Sequence, residues 1–200
     1  MILENDTRTD ALIASFEQHI PEWMAKKNVP GLSIALLRDA EVAWCRGFGC
    51  KDHAAKVPVT PETIFQAASL SKPVFAYAVL KWCAAGAIDL DRSLNAYLDE
   101  PYITGDPRLQ QITARHVLSH TPGFPNWRPK DQPLRIHFTP GERFSYSGEG
   151  VVYLQRVVEH MTGQRLDEWM QAQVLGPLGM RHSSYVWMDA YEIRMRIGVR

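Results

Sequence analysis

Phe65-Gln66-Ala67-Ala68-Ser69-Leu70-Ser71-Lys72-Pro73 is the stretch on which the reading of this chain turns. Ser69 and Lys72 stand three apart where a helix begins, and three residues is close to one helical turn, so both side chains share a face. A serine is a poor nucleophile at neutral pH unless a base stands beside it. A lysine serves as that base when burial or a neighbouring cation lowers its pKa. Ser-x-x-Lys is thus a compact nucleophile–base pair, but the two residue types are common, so its surroundings have to carry the case.

Working outward, Ser71 to about Ala85 reads as the strongest helix, with Val74, Ala78, Leu80 and Trp82 among its apolar residues and Gly86 as its stop. Upstream, Thr60-Pro61-Glu62-Thr63 resembles the start of a helix. Lys51 to Pro58 reads as a polar loop. Leu32 to Leu37 and Glu41 to Gly49, around Arg38-Asp39-Ala40, suggest an antiparallel hairpin. Before it, Leu12, Ile13, Phe16, Ile20, Trp23 and Met24 recur at helical spacing between Thr9 and Lys27. Downstream, Thr113 caps a short helix from Ala114 to His120. A long proline-rich, aromatic segment from Thr121 to Gly141 has no periodicity, and a loop of that length is more often functional than idle. Glu149 to Met161 and Leu166 to Leu175 read as two helices, and Leu178 to Trp187 as a turn leading into a strand.

Two hundred residues suffice for a sizeable core, and six Trp, seven Tyr and seven Phe mark a globular chain. The formal net charge is zero with both signs interspersed, which gives no footprint for nucleic acid or an anionic membrane. No apolar run is long enough to span a bilayer. The first ten residues carry acids where a signal peptide needs bases, so a cytoplasmic protein is expected. Cys45, Cys50 and Cys83, odd in number and without metal-like spacing, are expected to be reduced, packed thiols.

Tyr146-Ser147-Gly148 follows the long loop at another helix start. A tyrosine there can relay a proton if cations hold its pKa below about 10. His116 and His120, four apart, have the spacing of a zinc pair. They lack the intervening glutamate and an evident third ligand, so structural histidines are favoured and no metal is expected. Gly47-Phe48-Gly49 lacks the third glycine of a dinucleotide loop, and there is no Gly-x-Ser-x-Gly elbow.

Taken together these motifs resemble the β-lactamase-like serine hydrolases: class C β-lactamases, D-alanyl-D-alanine carboxypeptidases and family VIII carboxylesterases. Ser69-Leu-Ser-Lys72 matches their first motif and Thr60 to Phe65 its lead-in. Gly86 to Asp91 resembles the segment after the nucleophile helix, and Thr113 to Gly123 the "LLSHTSG" stretch. Pro140 to Ser147 matches the approach to the second motif, Tyr-x-Asn. Thr162-Gly163 and Pro177 to Met180 match later landmarks.

The resemblance implies an α+β, β-lactamase/transpeptidase-like fold: a mainly helical lobe with an incomplete antiparallel sheet. As one domain over 1–200 it would have its helix and hairpin in 1–58, the helical lobe in 59–187 and a tail in 188–200. It further implies that Ser69 is the acylated nucleophile, Lys72 its base and Tyr146 a proton relay, with the Ser69 N–H as half of an oxyanion hole and no cofactor. Phe124 and Trp127 are candidates to line an acyl pocket, or equally to pin the loop. Gly148 is a candidate substrate contact in place of the Asn of Tyr-x-Asn. Glycine offers no amide to orient an acyl-amide group, which favours a small-molecule ester over β-lactams or D-amino-acid peptides.

The third motif, Lys-Thr-Gly or a His-x-Gly variant, is not found. The chain is therefore expected to be a truncated member of the group, weak or inactive when taken alone, with an unpaired sheet edge open to self-association. A second reading is a non-catalytic binding or regulatory remnant of the same fold.

Overall fold

The computed structural model describes residues 3–52 and 54–191. The chain forms two compact units. One takes the described residues up to Ala67 and those from Trp187, and the other is Ala68–Val186.

In the first unit, helix α1 (Leu3–Lys27) is followed by strands β1 (Gly31–Arg38), β2 (Glu41–Asp52) and β3 (Val57–Pro58), in sheet order β1-β2-β3 and antiparallel throughout. Asp39 and Ala40 make the β1–β2 turn, both at positive φ (52° and 64°). A tight hairpin with the twist of its strands needs that conformation. Alternation puts Leu32 and Ile34 on the face that meets Ile20, Met24, Phe48 and Trp44. α1 buries less than its periodicity predicts: Ile20 and Met24 are covered, whereas Leu12 and Trp23 stay about half exposed.

Two expectations are corrected here. Lys51 to Pro58 is not simply loop, since β2 runs on to Asp52 and pairs with Val57–Pro58. Thr60 to Thr63 opens no helix. The Thr60 N–H donates to Thr63 Oγ1 (2.9 Å) and the Thr63 N–H to the Thr60 carbonyl (3.0 Å), which closes a turn. A threonine's hydroxyl offers the backbone such an alternative to a helix.

The second unit opens with a 3-10 turn at Ala68–Leu70 and continues as α2 (Ser71–Ala84), α3 (Ala114–Leu118), α4 (Gly148–Thr162) and α5 (Leu166–Met170). One wide turn over Gln171–Leu175 extends α5. Gly86, at φ 74°, releases the chain after α2 as the sequence suggests. Ser147 caps α4, accepting the Gly150 N–H at 2.9 Å. α4 then buries Tyr153, Leu154, Val157 and Val158, spaced for one helical face, in a core shared with Phe75 and Val79 of α2 and Trp169 of α5. The segment from Leu178 forms turns and no strand among the described residues, a further correction.

The architecture is α+β with a three-stranded antiparallel sheet. The three cysteines are free thiols. Cys50 and Cys83 are half-buried, but Cys45 is exposed and not packed as expected. No helix among the described residues is long and apolar enough to cross a membrane.

Candidate active site

Ser69 lies in the 3-10 turn just ahead of α2, exposed to solvent. The turn bends sharply because Ala68 adopts φ 45°, a conformation that strains any residue with a Cβ. Ser71 Oγ donates to the Ala68 carbonyl at 2.7 Å and holds the bend. From the opposite side the Tyr185 hydroxyl donates to the Ser71 carbonyl at 2.7 Å, fixing the first turn of α2.

Lys72 is in that first turn, and its Nζ donates to Ser69 Oγ at 3.1 Å. The same Nζ lies 5.3 Å from the centre of the Tyr146 ring. Hydrogen bonds from Ser69 first, and from Lys72, hold the Tyr146 phenol below its ordinary pKa. Two motifs more than seventy residues apart in sequence thus share one cluster, and the ring of Tyr146 remains 37% exposed.

What brings Tyr146 there is the long loop. Its course is fixed by backbone bonds: His137 N–H to the Gly123 carbonyl, Gly141 N–H to Thr121 and Ser145 N–H to His120, each at 2.8 Å. Its first half is tied to the start of α4. The Ser147 hydroxyl donates to the Pro125 carbonyl (3.1 Å), the Glu149 N–H to the Asn126 carbonyl (3.1 Å), and buried Glu149 accepts the Arg128 N–H at 3.1 Å. These ties are why a segment without periodicity is nevertheless ordered.

Beside Lys72 lies a cavity of about 420 Å³, bounded among others by Phe75, Trp127, Gly148, Val151 and Tyr185. Ser69 is not on its wall but in the open turn next to Lys72. The volume falls in the range of small-molecule sites. Trp127 and Gly148 line this cavity. Phe124 does not. It is wholly buried against Tyr102 and Tyr153, with ring centres 6.3 and 6.0 Å away, so it pins the loop and lines no acyl pocket.

Gly148 is glycine for a steric reason. A Cβ there would come within 2.6 Å of the Asn126 carbonyl oxygen, 2.9 Å of the Trp127 ring and 3.0 Å of Asn126 Oδ1. The Asn126 amide, which the sequence reading overlooked, thus stands next to a position that carries no amide of its own. Gly148→Asn is expected to lift residues 125–127 off α4 and cost about 1–3 kcal/mol, as overpacking does. A thermal melt against the wild-type chain checks it, and an unchanged melt would show that the loop yields freely.

Neither histidine of the i,i+4 pair sits as a zinc ligand would. His116 Nδ1 accepts the Thr113 N–H (3.3 Å), completing the capping box of α3. His120 has left the helix at φ 56°, and its ring lies 4.4 Å from that of Tyr146.

The site is thus a serine with a lysine on its hydroxyl and a tyrosine ring beside that lysine, ahead of a helix in an α+β fold. The chain belongs to the beta-lactamase family, whose family model matches residues 16–190. It is 29% identical over 209 residues to Esterase EstB of Burkholderia gladioli, covering 88% of this chain and 52% of that protein. Protein flp of Staphylococcus aureus (strain MW2) is 26% identical over 179 residues, 81% of this chain and 36% of that protein. The chain thus spans about half, or less, of the curated relatives it matches.

Among solved structures, the octameric penicillin-binding protein homologue from Pyrococcus abyssi superposes with a TM-score of 0.78 at 29% identity, over 93% of this chain and 47% of that one. A class C beta-lactamase mutant superposes with a TM-score of 0.83 at 21% identity, over 93% and 54%, which shows the shared fold.

Proposed function

We propose that the chain is a serine hydrolase that works by acyl transfer through Ser69, with carboxylic esters as its favoured substrates. One observation carries this reading: Lys72 Nζ donates to Ser69 Oγ at 3.1 Å and lies 5.3 Å from the centre of the Tyr146 ring, whose phenol the two residues hold below its ordinary pKa. A phenol whose ionised form is favoured by two donors is fit to take the serine proton, and Lys72 stands where it steadies both oxygens. Ser69 Oγ would attack the ester carbonyl carbon as its proton passes to Tyr146. The carbon–oxygen bond to the alcohol then breaks, and the alcohol leaves with that proton. Water, deprotonated by the same pair, would release the acid and free Ser69. The Ser69 N–H, ahead of α2, is placed to donate to the carbonyl oxygen.

The ester preference rests on Gly148, which has no side-chain amide, and is supported by the likeness to an esterase. The Asn126 amide beside Gly148 favours a second reading, in which the substrate carries an amide next to its reacting carbonyl.

The test is to mix the chain with p-nitrophenyl esters of increasing acyl length, quench in acid and map the acylated peptide. An acyl group on Ser69 supports the proposal. Release of p-nitrophenol with no acylated serine overturns it. Faster acylation by a penicillin than by any ester overturns the ester preference alone.

A further inference from the structure

His120 grips Tyr146 in three ways. Its backbone carbonyl accepts the Ser145 N–H at 2.8 Å, and its ring Nδ1 accepts the Ser147 N–H at 3.1 Å. The residues before and after Tyr146 are therefore both held by one histidine. The imidazole also lies against the phenol ring, 4.4 Å between centres and 33° between planes, with Phe144 edge-on to the imidazole at 5.9 Å.

Only one protonation state of His120 can do this. To accept the Ser147 N–H, Nδ1 must be unprotonated; a proton there would set two donors against each other. The left-handed backbone at φ 56° aims the ring and carbonyl at the same short segment, and for a residue with a Cβ that conformation is costly unless its surroundings hold it. Among the described residues, Lys72 of α2 and Tyr146 are the titratable groups that face the ring. Burial, and then the charge of Lys72, hold the imidazole below its ordinary pKa and keep it neutral near pH 7.

We propose that His120 is the positioning residue of Tyr146, and that loss of its grip on protonation steepens the fall of activity on the acid side. The inference rests on the acyl-transfer reading of Ser69, Lys72 and Tyr146. His120 touches no reacting atom; it fixes where the phenol oxygen stands. A shift of about 1 Å in such a group costs roughly 100-fold in rate. The sign is fixed by the direction of the shift. A histidine with a depressed folded pKa keeps its grip above the ordinary value of about 6.5 and loses it as the pH falls through the lower folded value.

The experiment is the rate of fluorophosphonate labelling of Ser69 from pH 5 to 9 in wild type, His120→Ala and His120→Asn, each checked for folding by circular dichroism. Asparagine tolerates positive φ, and its amide oxygen can accept the Ser147 N–H, but it does not titrate. His120→Ala is expected to label roughly 100-fold more slowly at every pH. His120→Asn should recover most of that loss at pH 8 and fall less steeply than wild type below about pH 6.5, keeping only the slope that Tyr146 itself imposes. An acid limb in His120→Asn identical to that of wild type would overturn the proposal, as would wild-type rates in His120→Ala. If alanine unfolds the chain, the comparison of asparagine with wild type decides alone. A folded wild-type chain that takes no label at any pH sinks the acyl-transfer reading together with this inference; a labelled wild type with unaffected variants sinks this inference only.

Discussion

Tyr146→Phe is expected to slow acylation of Ser69 by about 100- to 10,000-fold, the range attributed to a positioned acid–base group. The substitution removes one oxygen and leaves the ring in place against His120, so folding should be intact. Because Ser69 and Lys72 hold the phenol below its ordinary pKa, the wild-type rate should climb with pH below about 10, and that climb should vanish in the variant. Stopped-flow acylation by an activated ester across pH 6 to 10 reads both effects. A variant within tenfold of wild type with the climb intact would place the base elsewhere, with Lys72 as the first alternative. The hydrogen bond from Lys72 to Ser69 is local to one helical turn and survives the change.

The second large effect concerns folding. Phe124→Ala is expected to lower stability by about 3–5 kcal/mol, as removal of a fully buried aromatic ring does. Phe124 is 0% exposed and meets Tyr102 and Tyr153 edge-on, while those two rings stack on each other 4.3 Å apart. Its removal opens a hole beneath the loop just where Pro125 and Asn126 accept bonds from α4. Urea unfolding measures the loss. A decrease under 1 kcal/mol would mean that the ring contributes little to the core and would reopen the acyl-pocket reading of Phe124.

Local patterns were legible in the sequence and long-range ties were not. The Ser69–Lys72 pair and the stop of α2 at Gly86 follow from spacing and backbone preference within a few residues. The α4 start depends on a serine cap and a run of apolar residues at helical period, which are equally local. β3 escaped notice because two residues carry no periodicity; it exists only where β2 overruns its hairpin partner. Thr60 looked like a helix start because a hydroxyl before a proline serves caps and turns alike.

Of the candidate site, Tyr146 was singled out by family resemblance, not by anything its neighbours dictate. Its meeting with Ser69 depends on backbone bonds that pin a proline-rich loop without periodicity, and hydrogen bonds between distant carbonyls and amides leave no mark in side-chain pattern. His120 was read with His116 as a spaced pair. The positive φ that turns it away from α3 and onto Tyr146 would have been the only hint, and a histidine gives little warning of that conformation. The clash that makes residue 148 a glycine likewise depends on Asn126, twenty-two positions earlier.

The central claim is that Lys72 and Tyr146 activate Ser69 in this chain. Intact-mass analysis after exposure to a fluorophosphonate, with Ser69→Ala in parallel, tests it most directly. A single adduct on the wild-type chain that is absent from the variant is the predicted result. A folded wild-type chain that gains no mass, or an adduct that persists in Ser69→Ala, would contradict it.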